Sequence, residues 1–176
     1  AARDAAEAEP AAFIDLLKSY RDSGDWDRLI KAGQSPPPVL ARDPRVKQLV
    51  ALALTQRGQE HDDERALEMT SSIVAETGED AETLGIMGRI YKNRYKKGHG
   101  VDDLQRAIKF YRDGFELQPN DFYAGYNAVT LTSMLPEQHR PHQSLAELLS
   151  KVKGVLQERI SGGESSYSLS TAAVEL

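Results

Sequence analysis

The 176-residue sequence is 40% hydrophobic and 28% charged, with 27 acidic side chains against 22 basic ones and no cysteine, the balance of an ordinary globular chain. Its net charge of −5 argues against general nucleic-acid binding, which depends on neutralising phosphates. Without thiols there is no disulfide framework, thiolate nucleophile or cysteine zinc site, as expected of a cytoplasmic protein, and no apolar run approaches the roughly 20 residues that span a bilayer.

Hydrophobic spacing predicts helix along almost the whole chain and strand nowhere. Phe13, Leu16, Leu17 and Tyr20 fall on one helical face, Gly24 marks a turn, and Asp25 opens a second helix through Leu29 and Ile30. The stacked prolines of 34–44 interrupt helix formation. Spacing resumes at Val46, Leu49, Val50, Ala53 and Leu54, and Asp62 or Asp63 is expected to cap a helix carrying Ala66, Leu67, Ile73 and Val74. Helix is predicted again over 81–97. Asp102 with Gln105 three residues on has the form of a capping box, ahead of a face made by Leu104, Ala107, Ile108, Tyr111 and Phe115. A helix over 121–135 follows Pro119, and a stripe from Leu145 to Ile160 makes a long last one. The glycine-serine break at 161–166 precedes a short tail, expected to be flexible or the start of one more helix.

The helices come in pairs, and the pairs repeat. Leu84, Met87, Gly88 and Tyr91 stand at offsets 0, 3, 4 and 7, the first-helix pattern of a tetratricopeptide repeat; Ala107, Tyr111, Gly114 and Pro119 stand at offsets 0, 4, 7 and 12, the second-helix pattern. Tyr91 and Ala107 are 16 positions apart, about seven more than in the plain repeat, so an inserted loop is expected at 96–103. The predicted architecture is an all-α, tetratricopeptide-like solenoid of antiparallel helix pairs over 1–160. Its pairs are 10–34, a degenerate 45–78, the best-matched 81–118 and 121–160, with the last long helix as a cap.

The run Gly88-Arg-Ile-Tyr-Lys, the long spacing, Ala107-Ile-Lys-Phe-Tyr-Arg-Asp-Gly-Phe-Glu116 and Tyr123-Ala-Gly-Tyr-Asn-Ala128 together resemble one family. It is the tetratricopeptide-type TRAF-binding regulatory region of apoptosis signal-regulating MAP kinase kinase kinases and related bacterial proteins, and the resemblance covers about 45–160. It implies a regulatory protein-interaction module, usually part of a larger signalling chain, with neither catalysis nor a cofactor.

Arg89, Lys92, Arg94, Lys96 and Lys97 crowd around Tyr91 and Tyr95. Read structurally, these cations end a first-type helix and offset its dipole, with Gly98 or Gly100 as the left-handed stop. Read functionally, they could bind nucleic acid, the alternative to a protein partner. The scattered histidines and the acidic cluster 61–64 suggest no metal site. In repeats of this kind the first helices line a concave groove. Counting from the packing positions places Lys18, Arg21, Arg89, Lys92, Asn93, Tyr123 and Tyr126 along it, with Ile14, Ala51 and Thr55 between them. Such a lining suits an acidic peptide or partner domain, since Arg and Lys supply charge-assisted bonds and tyrosines supply apolar area with a polar tip.

Overall fold

A computed structural model describes residues 2–140 and 144–162; of the predicted tail, 161–176, all but 161 and 162 lies outside this range. Among the described residues all regular structure is helical: α1 (Ala2–Asp22), α2 (Trp26–Gly33), α3 (Pro44–Arg57), α4 (Asp62–Thr77), α5 (Ala81–Lys96), α6 (Val101–Leu117), α7 (Phe122–Met134) and α8 (Ser144–Ser161), with single 3-10 turns at Pro38–Leu40 and Glu137–His139. Each helix packs on the next in sequence, and α3 also packs on α1 and α5. This is the stacking of a tetratricopeptide solenoid, with α8 laid over its last first-type helix.

Carboxylates begin several of these helices. Asp25, Asp43, Asp80 and Asp121 each accept a hydrogen bond from a backbone N–H in the first turn of α2, α3, α5 and α7, satisfying donors that a helix start leaves open. Two expected caps are absent. Asp62 and Asp63 lie inside α4, which starts from His61 at φ 64° without a side-chain cap, and α6 starts from Gly100, leaving Asp102 in its first turn. Asp62 accepts instead from Arg57 Nε at 2.9 Å, Arg57 Nη2 at 2.7 Å and the Gln59 N–H at 2.9 Å. The buried Asp63 receives Lys97 Nζ at 2.5 Å.

The extra length between Tyr91 and Ala107 sits mainly in longer helices. α5 continues to Lys96 and α6 begins at Val101, so only 97–100 lie outside helix. Gly98, at φ 94°, turns the chain, and Arg94 Nε reaches back to Asp103 at 2.7 Å. The helices outlast the expected loop because buried carboxylates at the start of α4 and α6 hold the cations that end α5.

Buried apolar side chains gather into two clusters. One runs from Ile14 and Leu17 through Leu29, Leu40 and most of α3 to Ile86 and Ile90 of α5. The other joins Leu104, Ala107, Ile108, Tyr111 and Phe115 to α7 and to Leu148, Val152 and Leu156 of α8, with Tyr91 and Tyr95 of α5 packed against it. Leu16 departs from its predicted role and is 44% exposed, because Ile14 and Leu17 take the inward face of α1.

Candidate functional site

The site forms where α5, α6 and α7 meet on the side of the first helices. Gly88 lets α6 approach: a Cβ there would come within 2.8 Å of the Tyr111 ring. Tyr111 therefore lies across α5 and is fully buried. Arg89 and Lys92, one turn apart on α5, flank it. From α7 come Tyr123, held in the first turn by the Asp121 cap, and Asn127 one turn further on.

Arg89 Nη2 donates to the Tyr123 hydroxyl at 2.6 Å, with the guanidinium carbon 5.2 Å from that ring's centre. Lys92 Nζ donates to Asn127 Oδ1 at 2.8 Å and lies 5.5 Å and 5.8 Å from the ring centres of Tyr111 and Tyr123. Asn127 is fixed in turn, its Nδ2 donating to the Tyr123 carbonyl at 2.8 Å. The Tyr111 and Tyr123 rings meet edge to face at 6.0 Å. Neither cation has a carboxylate within ion-pair distance among the described residues. Burial, then Arg89 and Lys96, lowers the Lys92 pKa to about 8. Burial above all, reinforced by Tyr123, pushes the Tyr111 phenol well up; Arg89 and Asp121 also face it.

The groove is not uniformly basic. Glu82 has an exposed side chain, but protein surrounds it on the concave face, and its carboxyl is pushed up by that partial desolvation, then by Asp121 and Asp80. Arg21 and Arg89 pull it the other way. Lys18 and Arg21 line a separate cleft of about 160 Å³ with Arg45, Gln48 and Glu82, and bind Asp15 at 3.3 Å and Asp22 at 2.8 Å.

Of the seven predicted groove residues, the structure brings Arg89, Lys92 and Tyr123 together. Lys18 and Arg21 lie apart on α1. Asn93 turns toward α3, donating from Nδ2 to the Thr55 carbonyl at 3.0 Å, and Tyr126 packs on the Phe122 ring at 5.8 Å. Ile14, Ala51 and Thr55, expected on the groove, are buried. Counting faces on single helices missed Asn127 and the polar end of Tyr111. Asn127 was within reach, since it stands four residues after Tyr123 on the same face; the Tyr111 hydroxyl depends on how three helices meet.

The basic stretch divides accordingly. Arg94 is tied to Asp103 and Lys97 to Asp63, while Tyr91 stacks on Phe110 at 5.5 Å beneath Arg94 and Arg106. Only part of it therefore faces the groove.

A family profile described as Tetratricopeptide Repeats-Sensor matches residues 19–132, from the end of α1 almost to the end of α7. The chain belongs to the tetratricopeptide repeats-sensor family. Among similar proteins, mitogen-activated protein kinase kinase kinase 15 of Mus musculus is 31% identical over 151 residues, which is 82% of this chain and 11% of the relative. The kinase kinase kinase nsy-1 of Caenorhabditis elegans is 31% identical over 163 residues, and mitogen-activated protein kinase kinase kinase 5 of Homo sapiens 28% over 150; each match covers 81% of this chain and 11% of the relative. This tetratricopeptide sensor chain thus spans about one ninth of the length of the relatives it matches. Among its described residues no helix is long and apolar enough to cross a membrane, and no group of three or more His, Asp or Glu side chains is placed to hold a metal ion.

Proposed function

We propose that this sensor domain is a non-enzymatic, cytoplasmic regulatory module that binds an acidic segment of a partner protein on its concave face and so controls an attached or neighbouring effector. The observation that carries this reading is the pair Arg89 and Lys92, two cations without carboxylate partners, beside the 43%-exposed ring of Tyr123. Cations left without a carboxylate partner steer and orient a charged ligand. The printed names of the relatives, all protein kinases, are consistent with a role in signalling.

The test is capture of peptides from an acidic library by the intact chain. Replacing Arg89 and Lys92 together by Glu should abolish capture. Because Lys92 is half-buried and bonded to Asn127, some loss of melting temperature is expected, and circular dichroism at the capture temperature checks that the variant is folded. Lys31→Glu with Lys153→Glu, both exposed and away from the site, should bind as the parent does. Capture that survives the first pair would remove the concave face from consideration.

A further inference from the structure

Two polar groups at this site lack the partners their chemistry calls for. The Arg89 guanidinium carries five N–H donors, and its hydrogen bond goes to a neutral phenol, Tyr123, at 2.6 Å. The Tyr111 hydroxyl is buried without a well-formed hydrogen bond, and the polar group beside it is the Tyr123 hydroxyl. Buried polar groups are nearly always satisfied, so an exception requires an explanation. Both groups lie under the Tyr123 side chain, whose ring meets Tyr111 edge-on at 6.0 Å. Tyr123 is itself 43% exposed, so its ring can swing toward solvent without opening the core.

Resting on the groove reading above, we propose that the Tyr123 hydroxyl occupies an oxyanion site, and that a peptide carboxylate displaces it to bind Arg89, Lys92 and the buried Tyr111 hydroxyl. The phenol oxygen stands where a carboxylate oxygen would accept from Arg89. Lys92, anchored by Asn127 at 2.8 Å, retains further N–H donors on the same side. The Tyr111 hydroxyl becomes a donor to the anion and gains the well-formed bond it lacks. A charged ligand oxygen makes a stronger bond to each of these groups than a neutral phenol does. An anion beside Lys92 also favours the charge that burial, Arg89 and Lys96 oppose. Glu82 and Asp121 limit the choice of anion. Glu82 faces Arg89, and Asp121 faces both Glu82 and Tyr111; neither carboxylate pairs with Arg89 or Lys92, but both repel any negative charge added beyond the two cations. A monoanion fits that balance, and a phosphate dianion meets repulsion.

Calorimetric titration of the full chain with hexaglutamate blocked at both ends tests this. Tyr111→Phe should weaken binding about tenfold, as loss of a hydrogen bond to a charged group does, while melting stays the same or rises because the poorly bonded hydroxyl is gone. Tyr123→Phe should strengthen binding about threefold, since Arg89 no longer gives up an internal bond. Unchanged affinity in Tyr111→Phe, or weaker binding in Tyr123→Phe, would overturn the proposal; if Tyr111→Phe folds poorly, Tyr123→Phe decides alone. The groove reading fails separately, when Arg89→Glu with Lys92→Glu binds hexaglutamate like the parent. Hexaalanine with a free C-terminus distinguishes the carboxylate's source. Saturation by either peptide supports the site and says whether it takes a side chain or a chain end; saturation by neither, or tighter binding of inorganic phosphate, counts against it.

Discussion

Gly85 and Gly88 stand three residues apart on α5 and meet different surroundings. At Gly88 an added Cβ would stand 2.8 Å from the ring of fully buried Tyr111, whereas at Gly85 nothing lies within 4 Å. Gly88→Ala should therefore cost about 1–3 kcal/mol by overpacking, and Gly85→Ala should gain about 0.5–1 kcal/mol from helix propensity. Urea unfolding of both variants checks the contrast. The repeat offsets made Gly88 and Tyr111 legible as repeat positions, but neither their contact nor the destination of the phenol oxygen. Which polar atom ends beside which is decided between helices, and no spacing along one helix encodes it. Asn93 and Tyr126 make contacts that spacing does not encode either: Asn93 bonds the Thr55 carbonyl of α3, and Tyr126 packs on Phe122 one turn back in α7.

Helix ends were legible where aspartate followed a turn residue, as at Asp25 and Asp80. They were misread where aspartate serves a cation from another element. Asp62 is 1% exposed against 18% for Arg57, and it also faces Arg65 at 3.6 Å. Asp62→Ala would strand Arg57 and should cost about 2–3 kcal/mol, toward the low end for a buried pair because Arg57 retains Asp27 at 3.0 Å. The Arg57 hydrogen bond holds the Asp62 carboxyl below its usual pKa. Its stabilisation is therefore present above the unfolded-state pKa and lost as pH falls through the folded one. The parent's advantage over Asp62→Ala should shrink on acidification below about pH 4, measured by unfolding midpoints across pH. The lengthened α5 and α6 follow the same logic. The sequence shows seven surplus positions, and Asp63 and Asp103 convert most of them from loop to helix by pairing with Lys97 and Arg94.

At the scale of the whole molecule, the stacking order was legible from the repeat and the division of its core was not. α5 supplies Ile86 and Ile90 to one cluster and places Tyr91 and Tyr95 against the other. A solenoid held by neighbour contacts loses stability locally. Val152→Ala, at a fully buried position where α8 meets Gly125 of α7, should open a cavity costing about 1–3 kcal/mol. Amide exchange should accelerate in α7 and α8 while α3 and α4 keep their protection. Uniform acceleration along the chain would mean that the two clusters unfold as one.

The Arg89–Tyr123 bond gives this layered core a mechanical reading. It joins α5 to α7 across the open face, bridging from the helix both clusters share to a helix within the second. Any bending that changes the superhelix's curvature at this joint alters the span between those two side chains. At 2.6 Å the bond lies at the short end of the ordinary range and can lengthen before it weakens. Breaking the bond, as in Tyr123→Phe, should therefore widen the range of angles that α5 and α7 adopt, read from the spread of spin-label distances between the two helices.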